Sequence, residues 1–137
     1  MAIYLGDKSA LARLHHDDVM HRVSALYMSG QIATCGIIDL ELLYSARTGA
    51  DHQAILIDRQ FLPRVPCHDS AFDRAIEVQG ELADQGRHRG VGIEDLIIAA
   101  AAEAAGLTVL HYDDDFDVIA EVTGQPMEWV VAPGTVP

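Results

Sequence analysis

The sequence predicts an α/β domain in which a central, mostly parallel sheet is flanked by helices. Three observations predict it. Short apolar runs of strand type, Ile3-Tyr4-Leu5, Ile32-Ala33-Thr34-Cys35, Leu107-Thr108-Val109-Leu110-His111 and Glu128-Trp129-Val130-Val131, alternate with longer helical stretches, the pattern of strand–helix–strand units. Glycines such as Gly30 and Gly106 stand where helices should stop. Acidic residues, Asp7 and Asp113, follow two of the strands directly, at the carboxyl edge where parallel sheets build their sites.

Each element has its own warrant. Ile3-Tyr4-Leu5 is a short buried strand, with Gly6 and Asp7 as its turn. Ser9 to Leu14 begins a helix capped near Lys8 or Ser9. Val19, Val23, Leu26 and Tyr27 share one face of a helix over 18–28. After the second strand, 37–45 reads as helical, with Leu40, Leu43 and Tyr44 at core spacing. Thr48-Gly49-Ala50 breaks the chain, and Asp51 can cap a helix to about Phe61. Arg64-Val65-Pro66 is a short strand or extended link. Asp69 or Ser70 opens a long helix to about Gln85, followed by a polar loop from Gly86 to Gly92. Ile93 to Ala105 has strong helical propensity. Asp114 or Asp115 starts a last helix to about Thr123.

Length, charge and cysteine content bound the function. A chain of 137 residues fits one domain, placed over 1–132, with a loose tail over 133–137. No apolar run is long enough to cross a bilayer, and no secretory leader is expected. Cys35 and Cys67 cannot form a disulfide framework. They read as reduced core residues of a cytoplasmic protein. A formal net charge of −12 argues against broad nonspecific nucleic-acid binding and favours a basic partner. It leaves room for a nuclease, which needs clustered carboxylates and only a local basic patch.

Four acids organise the chemistry: Asp7, Glu41, Asp95 and Asp113, with Asp115 two residues beyond. Read singly, each has an ordinary role. Asp7 is a turn former or cap, Glu41 a surface residue, Asp95 a complement to a helix dipole beside Glu94, and 113–115 a solvated turn. If they converge, their mutual repulsion calls for a cation. Oxygen donors suit Mg2+ or Mn2+. Such an ion activates water and stabilises charge developing on a phosphodiester.

The order and context of these acids resemble the PIN-domain ribonucleases, most closely the VapC-type toxins of bacterial toxin–antitoxin pairs. Tyr4-Leu5-Gly6-Asp7-Lys8-Ser9-Ala10-Leu11 is similar to their opening strand and Asp-x-Ser motif. Ile37-Ile38-Asp39-Leu40-Glu41-Leu42 is similar to the segment with their helical glutamate. Asp95 to Ala102 resembles the third motif, and Leu110-His111-Tyr112-Asp113-Asp114-Asp115-Phe116 the fourth. The resemblance runs from Ile3 to about Val131. It implies a three-layer α/β/α sandwich and a Mg2+- or Mn2+-dependent endoribonuclease. Asp7, Glu41, Asp95 and Asp113 would be its metal site, assisted by Asp115 and supported by Ser9. It also implies a cognate VapB-type antitoxin, whose inserted Arg or Lys would suit an acidic pocket, and a homodimer. Lys8 and His111 depart from the family, standing where many relatives carry Thr. His111 is expected to orient a neighbouring carboxylate or backbone group rather than act as a base.

Basic residues near this site are few. Arg87 and Arg89 are grouped in the loop before Asp95, and Lys8 and Arg13 lie near the first motif. All four are candidates for RNA phosphate contacts. His15, His16 and His21 match no metal-binding spacing. No phosphate-binding glycine loop and no Gly-x-Ser-x-Gly elbow occur. Two rival readings are a Mg2+-dependent phosphatase and a catalytically silent interaction module.

Overall fold

Four short strands lie side by side in the order β2-β1-β3-β4, every pair parallel. In this computed structural model, which describes residues 1–137, they are β1 (Tyr4–Gly6), β2 (Ile32–Ala33), β3 (Thr108–His111) and β4 (Met127–Trp129). The helices are α1 (Lys8–Leu11), α2 (Asp17–Met28), α3 (Gly36–Tyr44), α4 (Gly49–Gln60), α5 (Asp69–Asp84), α6 (Ile93–Ala105) and α7 (Asp115–Thr123). A 3-10 turn covers His88–Gly90.

The two-residue repeat of a strand divides the core between the two faces of the sheet. Leu5, Ala33 and Val109 point into the larger cluster, built with α3, α5, α6 and α7. Their neighbours Ile32 and Leu110 point the other way, onto Ala10 of α1 and Val19 and Val23 of α2. The outcome is the three-layer arrangement. Gly6 is needed where β1 meets β2, because a Cβ there would sit 2.9 Å from Cγ2 of Ile32.

Several boundaries differ from expectation, each for a local reason. The first helix is shorter, since the chain turns after Leu11. The cap of α4 is Thr48 rather than Asp51; the Asp51 backbone N–H donates to Thr48 Oγ1 at 3.1 Å. Thr34 leaves the strand but forms a single parallel bridge with Arg64, so the expected extended link extends the sheet edge. α6 spans the residues expected of it and ends on Gly106 in the left-handed region, φ 69°. The tail is not loose: Val136 packs against the second cluster, and its backbone N–H and C=O both bond the Tyr112 hydroxyl. No helix is long and apolar enough to cross a membrane.

Candidate active site

Parallel pairing of β1 and β3 puts their carboxyl ends side by side, and the Asp7 backbone N–H donates to the Leu110 carbonyl at 2.9 Å. Asp7 caps α1. Its Oδ2 accepts from the Ser9 backbone N–H at 2.9 Å and from Ser9 Oγ at 2.6 Å. Ser9 Oγ in turn accepts from the Tyr112 backbone N–H at 2.8 Å. One serine therefore ties the first motif to the turn that carries Asp113. That turn is fixed further: His111 Nδ1 accepts from the Asp113 N–H at 3.2 Å, and Asp113 Oδ1 accepts from the Asp115 N–H at 3.0 Å. Asp115 Oδ2 then accepts from the Gly92 N–H at 3.1 Å. This last bond holds the start of α6, and with it Asp95, against the end of β3. A side chain at Gly92 would press on Asp95, since a Cβ there lies 3.1 Å from Asp95 Oδ2.

These contacts gather the predicted acids. Asp7, Glu41, Asp95 and Asp113 line one cavity of about 290 Å³ with Lys8, Ser9, Ala12, Arg13 and Glu94. Carboxylate oxygens of Asp95, Asp113 and Asp115 lie within 4.8 Å of one another. Asp7 and Asp95 are nearly inaccessible, at 4% and 6% exposure.

The electrostatic consequence is strong. Burial pushes the Asp95 carboxyl up to about 9, reinforced by the facing Asp115 carboxyl and by Asp7, Asp113 and Glu94. Glu41 rises to about 7, through burial and the charges of Asp7 and Glu94, with Lys8 opposing. Asp7 and Asp113 are also raised, chiefly by burial. Two oxygens in the site, Asp7 Oδ1 and Glu41 Oε1, are buried without any hydrogen-bond partner. A buried carboxylate oxygen left unpaired is costly. Orphaned oxygens in a site crowded with carboxylates fit a hard cation, which would satisfy the free lone pairs and relieve the repulsion.

The other expected residues separate into two groups. Lys8 and Arg13 border the cavity. Arg87 and Arg89 do not line it: Arg87 is paired with Glu121 at 2.7 Å, and Arg89 is exposed on the 3-10 turn. His111 is fully buried between Phe116 and Trp129, with ring centroids 5.0 and 4.9 Å away. Burial lowers its pKa to about 4, so it is neutral near pH 7 and serves the Asp113 backbone.

Two contributors were not singled out for the site from sequence. Glu94 lines the cavity beside Asp95; the doublet of acids behind Gly92 was its only signal. Asp39 is 6% exposed and accepts from Thr34 Oγ1 at 2.7 Å, Arg59 Nε at 2.9 Å and Arg64 Nη2. Its network clamps the helix that carries Glu41. A lone charge inside the apolar run Ile37-Ile38-Asp39-Leu40 was the available hint.

Comparisons with known proteins give the family and the fold. Residues 4–122 match the PIN domain family. The chain is 51% identical over 133 residues to Ribonuclease VapC21 of Mycobacterium tuberculosis, covering 96% of each. It is 42% identical to Ribonuclease VapC18 of the same organism, covering 97% of this chain and 98% of that one. The fold matches the DNA-bound VapBC crystal structure from Salmonella typhimurium with a TM-score of 0.75 at 20% identity, over 96% of this chain and 100% of that one.

Proposed function

The chain belongs to the PIN-domain family, and from that premise we propose that it is a metal-dependent endoribonuclease, the toxin of a toxin–antitoxin pair. The observation that carries the reading is the cavity in which Asp7, Glu41, Asp95 and Asp113 meet, with Asp7 Oδ1 and Glu41 Oε1 buried and unpaired. Support comes also from relatives that share at least two fifths of their residues with this chain and are named ribonucleases.

Asp7, Glu41, Asp95 and Asp113 would hold the cation, with Asp115 assisting. All-oxygen donors favour Mg2+ or Mn2+. When bound, the ion supplies Lewis-acid stabilisation of the phosphodiester and activation of the attacking water. The chain's own residues do the rest. Ser9 holds Asp7 Oδ2 and the Tyr112 backbone together, which leaves Asp7 Oδ1 buried and free to serve as a ligand. The Asp115 carboxylate and the Gly92 N–H keep α6 seated. Lys8 and Arg13 at the rim would meet the RNA phosphates, giving local positive charge in an otherwise acidic protein. The same cavity would accept an Arg or Lys side chain from a VapB-type antitoxin, and the toxin would assemble as a homodimer.

The test is cleavage of total bacterial RNA by the purified, antitoxin-free protein, with Mg2+ or Mn2+ and with a chelator. Asp7→Asn serves as control, and a small phosphate monoester is offered in parallel. Divalent-dependent RNA cleavage that is lost in Asp7→Asn, with the ester untouched, is the expected result. Intact RNA with a folded wild type, or hydrolysis of the ester alone, would refute the reading.

A further inference from the structure

Arg13 is held far more tightly than a rim arginine requires. Its Nη1 donates to the Ser9 carbonyl at 2.7 Å, and its Nε donates to the Pro137 main-chain oxygen at 3.1 Å, across a separation of 124 residues. Its guanidinium lies over the Tyr112 ring, 4.5 Å from the centroid. Nη2 makes no hydrogen bond within the protein, while the side chain borders the acidic cavity and its charge acts on Asp113.

The tail is secured in its turn by Tyr112. The tyrosine hydroxyl donates to the Val136 carbonyl at 2.8 Å and accepts from the Val136 N–H at 3.2 Å. Val136, like Leu11, Leu14 and Val131, packs against the smaller apolar cluster. Tyr112 is therefore a hub: its backbone N–H bonds Ser9 of the Asp7 motif, its ring faces Arg13, and its hydroxyl holds the tail that holds Arg13.

We infer that the C-terminal segment 133–137, locked by the Tyr112 hydroxyl, is a positioning strap that presents Arg13 Nη2 as a fixed phosphate clamp for the RNA strand beside the scissile bond. A free arginine loses rotamer entropy when it binds a phosphate. An arginine already stacked and bonded through two nitrogens has lost most of it beforehand, so it contributes more to binding. Tyr112 and the strap are positioning elements, acting through Arg13. The inference rests on the ribonuclease reading for its substrate.

The test is a double-mutant cycle on the full chain, reading kcat and KM for one single-stranded RNA substrate at several salt concentrations. Tyr112→Phe releases the strap yet keeps the ring under Arg13. It is expected to raise KM about threefold and change kcat less than twofold. Arg13→Ala is expected to raise KM about tenfold and to flatten the dependence of log KM on log salt by roughly 0.7, the loss of one phosphate contact to a single strand. In the Arg13→Ala background, Tyr112→Phe should have no further effect on KM. Independent, multiplying effects would overturn the inference. So would a Tyr112→Phe enzyme equal to wild type in KM, or one that binds RNA more tightly, the mark of a tail that obstructs the site. A wild type that leaves RNA intact refutes the ribonuclease reading itself, whereas a cleaving wild type with any of these three results refutes the strap alone.

Discussion

Replacing Asp95 by Asn should stabilise the divalent-free protein at alkaline pH, although it removes a buried residue of the candidate active site. Oxygens of Asp113 and Asp115 lie within 4.8 Å of an Asp95 oxygen, so each ionised pair repels by about 3.5 kcal/mol at an effective dielectric constant of roughly 20. Protonation caps the cost. Holding a carboxyl of ordinary pKa 3.8 neutral at pH 8 takes about 5.7 kcal/mol, at 1.36 kcal/mol per unit. Water reaching the open cavity screens much of this. A net gain of about 2 kcal/mol remains, roughly 7 °C in Tm for a chain of 137 residues.

The sign follows from linkage. The folded Asp95 carboxyl is raised to about 9, so its neutral form favours the fold below pH 4 and that advantage is lost as pH climbs toward 9. The gain from Asn should therefore be near zero at pH 5 and largest at pH 8 to 9. Thermal or urea unfolding of both proteins in chelator at the two pH values is the assay. A variant less stable than wild type at pH 8, or a gain of equal size at pH 5, would refute the electrostatic reasoning.

Three further outcomes are expected. Asp39→Ala strands the buried Arg59 guanidinium and should cost about 3–5 kcal/mol in urea unfolding, whereas Arg64→Ala, half-exposed, should cost under about 1 kcal/mol. Burial pushes Asp39 up, but bonds from Thr34, Arg59 and Arg64 outweigh it and hold its pKa below the ordinary value. Its stabilisation is thus full above pH 4 and disappears on further acidification, so the fall of stability below pH 4 should flatten in Asp39→Ala. Gly6→Ala should cost about 1–3 kcal/mol, because the new methyl meets Ile32 at 2.9 Å; a variant within 0.3 kcal/mol of wild type would mean the strands part freely. Ser9→Ala leaves the half-buried Tyr112 N–H without its acceptor and should cost about 1 kcal/mol, with a larger proportional loss in divalent affinity than in stability, read by Mn2+ titration.

The fold was legible where local signals agreed. The apolar run from Ile93, its acidic first turn and the Gly106 stop all argue for the same helix, and the structure has it with those bounds. Asp7 and Asp113 were legible because a parallel sheet must expose its strand ends at one edge. What escaped depends on contacts between distant residues. The Asp39 network joins positions 20 and 25 residues apart, and no periodicity encodes an ion pair. The tail, Pro133-Gly134-Thr135-Val136-Pro137, reads as a loose turn-rich end, yet the Tyr112 hydroxyl bonds it from 24 residues away. Arg87 and Arg89 sit close to Asp95 in sequence, but the 3-10 turn carries Arg87 onto Glu121 instead. Thr48 prevailed over Asp51 as a cap because the helix begins at Gly49, which leaves Asp51 inside the first turn.

Proton release on divalent binding tests the central claim most directly. Glu41, raised to about 7, is half protonated at pH 7, and Asp95, raised to about 9, almost wholly so. A cation held by both must expel those protons. Titration calorimetry with Mn2+ at pH 7, in two buffers of different protonation enthalpy, should give between one and two protons released per protein. Binding with no proton release, or no binding at all to the folded protein, would contradict the account.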